Sequence, residues 1–165
     1  MRILGITLSV SYYCEMPIVR PLRAEDKSQW LPLWDGYLEF YKSELSEEQT
    51  QLTWARLLDE NFNLHCLVVE VDGVVKGLTH YSFQTSTWAP KNYCYLEDLF
   101  TDPAERGKGL GRLLIDSVKE IAVSEGSSRL YWNTDETNTT ARKLYDSYSL
   151  DSGKIQYRIP LDPND

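Results

Sequence analysis

The chain contains few of the residues from which disulfide frameworks and metal sites are built. Its 165 residues include three cysteines and two histidines. The cysteines are odd in number and show no C-x-x-C spacing, which argues against a disulfide framework and against a zinc site (Cys14, Cys66 and Cys94). Reduced thiols in a cytoplasm fit this pattern best. His65 and His80 are not spaced as metal ligands, so we predict no metal site and expect each histidine to be structural or exposed.

The chain also lacks an excess of positive charge and any apolar run long enough to span a bilayer. It carries 17 Lys and Arg against 25 Asp and Glu, a net charge of −8. Because phosphate backbones bind through Lys and Arg, we expect no nucleic acid partner, and we expect no membrane partner either. The acidity suits a cationic substrate such as an amine or a basic peptide, although scattered acidic residues equally serve solubility.

The first residues differ from those that follow. Met1–Glu15 contain one short apolar run and no A-x-A-like cleavage site, so they do not indicate a signal peptide. The run M-P-I-V-R-P that begins at Met16 predicts an opening strand. We expect residues 1–16 to be an N-terminal extension, with Met16 as the functional start, and residues 17–165 to form a single domain.

Apolar periodicity and turn signals predict the elements of this domain. Asp72-Gly73 predicts a tight hairpin between two strands. Strands are predicted at Ile18–Leu22, Leu64–Val71, Val74–Phe83, Tyr93–Thr101, Arg129–Asn133 and Lys154–Ile159. Helices are predicted from Ala24 onward and at Ser46–Leu58, Leu110–Gly126 and Asn138–Tyr148. This order predicts an α+β (mixed α/β) fold in which helices pack around one mixed sheet.

The strongest functional signal is a glycine-rich turn, R-G-K-G-L-G at Arg106–Gly111, between a predicted strand and a helix. Glycine lets backbone N–H groups turn toward an anion, and the helix start adds free N–H donors and partial positive charge. Arg106 and Lys108 bring further charge. The Walker pattern is absent, and Arg112 stands where the third glycine of a dinucleotide fingerprint belongs. The turn therefore predicts a different site for a phosphate-bearing cofactor.

Arg106, Gly109 and Gly111 satisfy the pattern [QR]-x-x-G-x-[GA], which resembles the pyrophosphate-binding signature of the GNAT superfamily of N-acetyltransferases. Two further motifs match in order and spacing: L-E-D-L-F at Leu96–Phe100 and N-x-x-A-x-x-L-Y at Asn138–Tyr145. The resemblance covers roughly Pro17 to Leu161. It is closest to small stand-alone members, a group that includes polyamine acetyltransferases and the yeast histone/polyamine type.

The resemblance implies the GNAT fold, in which the central strand and the next strand splay apart and acetyl-CoA lies in the gap. It implies that the glycine-rich turn binds the pyrophosphate and that the central strand pairs with the pantetheine arm. Asn138 resembles a residue that hydrogen-bonds this arm, but it can equally be a simple helix cap. The implied cofactor-binding residues are Leu99, Phe100, Thr101, Arg106, Gly107, Lys108, Gly109, Leu110, Gly111, Arg112 and Asn138.

The implied reaction is direct attack of an amine on the thioester. An alkyl ammonium has a pKa of about 10.4, so a carboxylate must take its proton, and Glu97 and Asp98 are the candidates. Neighbours on a regular strand face opposite sides, so one of the two is expected in the site; the resemblance favours Glu97, and a bulge would alter the facing. Tyr145 matches the family's general acid for the leaving thiolate. A backbone N–H near Leu99 or Phe100 is expected to stabilise the oxyanion.

The acceptor side is less specific. Trp34, Tyr81 and Trp88 could wall a pocket whose aromatic faces attract a cation, although a helical aromatic stripe also fits a core. We predict an N-acetyltransferase acting on a primary amine, whether a polyamine, an amino acid, another small amine or a basic peptide. The alternative is a non-catalytic acetyl-CoA-binding module or sensor. Relatives often dimerise through C-terminal strands, so the resemblance implies a homodimer or higher homo-oligomer with Lys154–Leu161 at the interface.

Overall fold

The computed structural model describes residues 16–161, and the extension predicted before Met16 lies outside the described residues. The strands are β1 (Ile18–Pro21), β2 (His65–Val71), β3 (Val74–Gln84), β4 (Tyr93–Thr101) and β5 (Leu130–Tyr131). The helices are α1 (Lys27–Phe40), α2 (Glu47–Leu58), α3 (Leu110–Ser124) and α4 (Thr139–Tyr145), with short 3₁₀ turns at Ala24–Asp26 and Pro103–Glu105.

The five strands form one sheet in the order β1-β2-β3-β4-β5. The first four pair antiparallel, and β5 pairs parallel to β4. The Asp72-Gly73 hairpin has both residues at positive φ, 49° and 76°, as a tight turn between twisted strands requires. This mixed sheet flanked by helices confirms the predicted fold class.

The chain divides into two compact units. The first extends to Trp132 and contains the whole sheet with α1, α2 and α3. The second begins at Asn133 and contains α4. Within the described part of the chain, no helix has the length and apolar character needed to cross a membrane.

Helix α1 buries an aromatic face against the sheet, because its apolar residues recur at every third or fourth position. Trp30, Leu33 and Trp34 lie in one core cluster with Leu78 of β3 and Phe100 of β4. The rings of Trp30 and Trp34 stack with their centroids 5.6 Å apart. This packing fixes α1 over the two central strands, which carry the candidate site.

Helix α3 covers the other face of the sheet. Strand residues alternate between faces, and Cys66 and Val68 of β2 lie in the α1 cluster, so Leu67 and Val69 point toward α3. The buried stripe of α3 consists of Leu110, Leu114, Ile115, Val118 and Ala122.

The predicted last strand at Lys154–Ile159 is wrong for this structure. Residues 149–160 have no helix or strand, and the alternating apolar side chains of Ile155, Tyr157 and Ile159 are 79, 91 and 82% exposed. An alternating pattern forms a strand only where a neighbouring strand satisfies its backbone and covers its apolar face. The predicted strand at Arg129–Asn133 is also shorter, because only Leu130 and Tyr131 pair with β4.

Candidate functional site

A β-bulge in β4 determines which side chains meet at the candidate site. His80 of β3 pairs with Asp98, whereas the next residue, Tyr81, pairs with Leu96. Glu97 is therefore one extra residue opposite β3. A bulge interrupts the strict alternation of a strand, so Glu97 and Asp98 can share one face instead of pointing to opposite faces. Strand alternation therefore does not force Glu97 and Asp98 onto opposite faces here.

Both carboxylates lie near Tyr37 of α1. The Tyr37 phenol interacts with the Asp98 carboxylate and, more weakly, with that of Glu97. Burial raises the pKa of the Tyr37 phenol well above its usual value, and the negative charges of Asp98 and Glu97 raise it further. Tyr37 is therefore a neutral donor on the face of the sheet where the two carboxylates meet.

A buried histidine holds Asp98 from the opposite side. His80 is 1% exposed, and its Nδ1 lies 2.9 Å from the Asp98 Oδ2. The indole N–H of Trp30 donates to His80 Nε2 over 3.2 Å. Burial lowers the pKa of His80, but Cys66 and Asp98 outweigh burial and raise the pKa to about 10. The contact with Trp30 acts against this rise. Because an Nε2 proton would face the indole N–H, the contact with Trp30 selects the neutral ring that carries its proton on Nδ1 and donates it to Asp98.

Glu97 remains accessible on this face. Desolvation by the surrounding protein raises the pKa of its carboxyl, and the charge of Asp98 raises it further. A carboxyl with a raised pKa is a better proton acceptor at neutral pH than an ordinary surface glutamate.

One edge of β4 is open beside the bulge. Strand β5 pairs with β4 only at Cys94 and Tyr95. Within residues 16–161, no strand pairs with the same edge of β4 between Leu96 and Thr101. The two central strands separate here, as the resemblance implies.

The backbone of β4 shows which groups face this open edge. The Asp98 carbonyl accepts a hydrogen bond from the Thr79 hydroxyl on β3. The Phe100 carbonyl also points toward β3, because a Cβ atom added to Gly77 of β3 would lie 2.9 Å from its oxygen. Successive residues of a strand point their backbone groups to opposite sides. Leu99 and Thr101 therefore face the open edge, and the pairing predicted for Phe100 does not fit the direction of its backbone.

The glycine-rich turn leads into α3 through two left-handed residues. Gly107 and Gly109 have φ of 79° and 86°, a conformation that L side chains adopt at a cost. The turn is joined to α3 by a hydrogen bond that the Leu113 N–H donates to the Gly109 carbonyl over 3.1 Å. The N–H groups of Leu110 and Gly111, which precede it, point along the helix axis.

The two cations of the turn contact neighbouring side chains. The Arg106 guanidinium lies over the rings of Phe40 and Phe100, 5.9 and 5.6 Å from their centroids. The Lys108 Nζ lies 2.7 Å from a carboxylate oxygen of Glu105. A cavity of about 540 Å³, lined in part by Arg106 and Phe40, separates α1 from the segment after β4. Positive charge thus lies beside the N–H groups of the helix start, as an anion site requires.

The second compact unit carries the two remaining predicted residues. Asn138 caps α4: its side-chain oxygen accepts from the Ala141 N–H over 3.3 Å, and its amide donates to the Thr134 hydroxyl over 3.3 Å. The helix-cap alternative is therefore realised, and a contact with the cofactor stays a prediction. Tyr145 is the last residue of α4 and is half-buried. Seven residues separate it from Asn138, which places both near one face of the helix.

The predicted acceptor pocket of Trp34, Tyr81 and Trp88 is not one pocket. Trp34 is 6% exposed and belongs to the α1 core. Tyr81 is 7% exposed and packs with His65 on the α3 face of the sheet. Because a sheet separates the two rings, they cannot line one cavity. Trp88 is 87% exposed and is the one member of the three that a substrate can reach.

Sequence analysis missed two residues of this site. From the sequence, Tyr37 belongs to a helical aromatic stripe that could wall an acceptor pocket, and His80 has a structural or exposed role; neither pattern predicts their proximity to Asp98. Their contacts with Asp98 depend on the register of β3 against β4, which apolar periodicity does not encode. The available signal was the presence of polar side chains at positions where the pattern expects core residues.

Comparisons with known proteins find N-acetyltransferases. The model of a family described as "Acetyltransferase (GNAT) family" matches residues 30–148. The D-amino-acid N-acetyltransferase HPA3 of Saccharomyces cerevisiae is 30% identical over 143 residues, which cover 86% of this chain and 89% of that protein. The thialysine N-epsilon-acetyltransferase of Mus musculus is 36% identical over 94 residues, 52% of this chain and 55% of that protein. The solved structure of the aminoglycoside N-acetyltransferase AAC(6')-Iy in complex with CoA has a TM-score of 0.76 at 16% identity, covering 89% of this chain and 96% of that one.

Proposed function

The chain belongs to the acetyltransferase (GNAT) family and is an acetyl-CoA-dependent N-acetyltransferase, and we propose that Glu97 and Tyr145 serve as its base and its acid. The observation that carries this proposal is the bulge in β4, which leaves Glu97 accessible where the open strand edge begins. The acceptor that we propose is a primary amine of a small molecule or of a basic peptide.

The residues around the open edge of β4 offer hydrogen-bond donors and positive charge that suit acetyl-CoA. Acetyl-CoA supplies the acetyl group as a thioester. The N–H groups of the glycine-rich turn and of the start of α3 would hold its pyrophosphate, assisted by Arg106 and Lys108. The backbone of Leu99 and Thr101 would pair with the pantetheine arm as an added strand. In our proposal Asn138 donates a further hydrogen bond to this arm through the second N–H of its side-chain amide.

The chain then moves two protons. Glu97 takes one from the ammonium, directly or through a water molecule, because only the neutral amine is a nucleophile. The Leu99 N–H, which faces the open edge, stabilises the developing oxyanion. The Tyr145 hydroxyl donates a proton to the leaving thiolate. Much of the acceleration comes from holding the amine and the thioester together.

Release of free thiol from acetyl-CoA across a panel of amines tests the proposal. The panel contains spermidine, lysine, D- and L-amino acids, aminoglycosides and a histone-tail peptide. We expect turnover with at least one member, which would also identify the acceptor class. A protein that binds acetyl-CoA in calorimetry but releases no thiol with any member would contradict catalysis and support a non-catalytic acetyl-CoA-binding module or sensor.

Glu97→Gln is expected to lower kcat/KM for the amine about tenfold at neutral pH. This decrease in kcat/KM is smaller than the one expected for an obligatory base, because a fraction of the amine molecules can lose their proton to water. The loss should shrink toward pH 10, where the free amine is neutral. Initial rates of thiol release at several pH values measure it. Glu120→Gln makes the same change at an exposed site on α3 and should have no effect; equal losses at all pH values would contradict the role of Glu97.

We also propose that the enzyme is a homodimer that uses residues 154–161. The apolar side chains of Ile155, Tyr157 and Ile159 alternate along an exposed segment, and a second copy is the simplest partner to bury them. Light scattering should give about twice the chain mass of 19.1 kDa.

The variant Ile159→Asp should shift this mass toward the monomer, because it places a charge in the proposed interface. Gln156→Asp adds the same charge at a position between the alternating apolar residues and should leave the dimer intact. A monomeric wild-type protein, or equal dissociation by both variants, would refute the interface.

The two described cysteines favour a reducing compartment. Cys66 and Cys94 are both free and buried. Unpaired thiols of this kind persist where glutathione keeps them reduced. We therefore propose that the enzyme works in the cytoplasm.

A further inference from the structure

Three tyrosines form a patch at the start of β4, before the bulge (the tyrosine patch: Tyr93, Tyr95 and Tyr131). The ring centroid of Tyr131 lies 5.0 Å from that of Tyr95 and 6.4 Å from that of Tyr93. The Tyr131 hydroxyl donates to the side-chain oxygen of Gln84 on β3, so these two side chains together cross β4 and fix the ring. All three tyrosines are partly exposed. No step of acetyl transfer as proposed above uses them.

The tyrosine patch lies on the same face of the sheet as Asp98. Asp98 pairs with His80 of β3, and Tyr95 pairs with Ser82, two residues later on the same strand. Residues two apart on a strand share a face, and so do paired residues of neighbouring strands. The bulge therefore leaves Tyr95 as the next residue of β4 on this face before the two carboxylates.

Arg129 places a positive charge at the far end of the tyrosine patch. Its guanidinium lies over the ring of Tyr93, 4.3 Å from the ring centroid. Its backbone carbonyl accepts from the Cys94 N–H over 2.8 Å, which fixes Arg129 beside the first residues of β4. Among residues 16–161, no carboxylate forms an ion pair with Arg129. The surface is therefore negative at the bulge, aromatic in the middle and positive at the start of β4.

We propose that the tyrosine patch and Arg129 bind the acceptor, and that this acceptor is a straight-chain amine with a carboxylate at its far end. The inference rests on the proposed role of Glu97, where the ammonium would lie. The aliphatic chain would pack on the rings of Tyr95 and Tyr131. The carboxylate would accept hydrogen bonds from the Arg129 guanidinium, whose planar fork suits carboxylates.

The proposed place of the cofactor leaves this direction open. Acetyl-CoA would occupy the edge of β4 at Leu99 and Thr101 and the glycine-rich turn that follows. The part of the acceptor behind its nitrogen then extends away from that edge, toward the start of β4. The tyrosine patch lies in this direction on the face that carries the carboxylates. An acceptor with opposite charges at its two ends matches the two charged ends of the surface.

The separation of these two ends selects the length of the acceptor. Arg129 flanks Tyr93, which stands four residues before Glu97. Four residues of a strand span about 13 Å. The side chains of Glu97 and Arg129 cover part of this distance, so several carbon atoms must separate the amine from the carboxylate. An α-amino group is too close to its own carboxylate to reach both ends, whereas 6-aminohexanoate and the side-chain amine of lysine are long enough.

Three amines with the same carbon spacing test the charge of the far end. Pentylamine and cadaverine replace the carboxylate of 6-aminohexanoate by hydrogen and by an ammonium. Thiol release from acetyl-CoA should give a kcat/KM for 6-aminohexanoate about tenfold above that for pentylamine, because a hydrogen bond to a charged group is gained. Cadaverine should be the poorest of the three. An enzyme that prefers cadaverine or pentylamine would overturn the proposal.

The variant Arg129→Gln tests the partner of the carboxylate. It should lower kcat/KM for 6-aminohexanoate about tenfold and leave kcat/KM for pentylamine unchanged. Arg56→Gln is the matched control, because the Arg56 guanidinium also lies over a ring, 4.9 Å from the centroid of Phe62, and should affect neither amine. Equal losses for both amines in Arg129→Gln would refute the contact with the carboxylate.

The variant Tyr95→Ala tests the aromatic part of the surface. It should raise KM for 6-aminohexanoate and for pentylamine by similar factors, because both aliphatic chains would lose the same ring. The Kd for acetyl-CoA should stay the same, which also shows that the variant is folded. Unchanged KM values in Tyr95→Ala would remove the tyrosine patch from the acceptor site.

Binding without turnover separates this inference from the proposed function. Calorimetry should detect 6-aminohexanoate bound to the protein saturated with CoA, and Arg129→Gln should weaken this binding about tenfold. If the protein acetylates no amine but shows this Arg129-dependent binding, the proposed catalysis is refuted and the binding surface is supported. If the enzyme acetylates other amines but binds 6-aminohexanoate no better than pentylamine, the proposed function is kept and this inference is refuted.

Discussion

Gly109→Asp is expected to abolish measurable acetyl-CoA binding. Gly109 is the residue before α3, where the N–H groups of the helix start would meet the pyrophosphate. A carboxylate there repels the phosphates and competes for the same donors. Two unit charges about 5 Å apart at an effective dielectric constant of about 20 interact by about 3 kcal/mol. That energy corresponds to roughly a hundredfold increase in Kd for each phosphate charge at this distance.

Gly109→Asn is the matched control for this prediction. Asparagine and aspartate have the same size and tolerate left-handed backbone about equally, and Gly109 has φ of 86°. A Cβ at this position meets no other atom within 4 Å, so neither variant should disturb the packing of the protein. Calorimetry with acetyl-CoA should show a much larger loss for Asp than for Asn. Wild-type affinity in a folded Gly109→Asp protein would refute the pyrophosphate assignment.

Tyr145→Phe should lower kcat by about 10² to 10³ while Kd for acetyl-CoA stays nearly unchanged. Removing the hydroxyl takes away the proton donor for the leaving thiolate, and general acids of this kind contribute typically 10²- to 10⁴-fold. The ring remains, so the packing of α4 is preserved. Thiol release under saturating substrate and calorimetry with acetyl-CoA measure the two quantities separately.

Tyr148→Phe makes the same change three residues later, just beyond α4, and should retain turnover. The phenol of Tyr145 must be protonated to act, so the wild-type rate should decline on the alkaline side as the phenol ionises, and Tyr145→Phe should lack this decline. Unchanged turnover in Tyr145→Phe would remove Tyr145 from the mechanism.

Local sequence signals predicted most elements of the fold correctly. The central strand was predicted and observed at Tyr93–Thr101, and α3 begins at the predicted Leu110. Asn138 was predicted at the start of the last helix and caps it. These features depend on apolar periodicity, turn residues and caps, which act over a few neighbouring positions. The strand predicted at Lys154–Ile159 was wrong because an alternating pattern cannot specify a partner strand.

The acceptor pocket could not be predicted for a related reason. Trp34 and Tyr81 both looked like possible pocket residues because aromatic side chains suit cores and amine sites equally well. Only the sheet shows that the two rings lie on opposite faces. The side chains that lie near the carboxylates, Tyr37 and His80, come from a helix and a strand and are more than 40 positions apart in the chain.

The sequence by itself determined the family, the cofactor and the position of the glycine-rich turn, because these depend on short runs of residues such as Arg106–Gly111. It also identified Glu97 and Asp98 as candidates for the base. The tertiary structure alone decided how these two carboxylates differ. One extra residue in β4 shifts its register against β3, and this shift leaves Glu97 accessible while Asp98 meets His80 and Tyr37. Register is a property of two strands packed together, so neither strand carries that information alone.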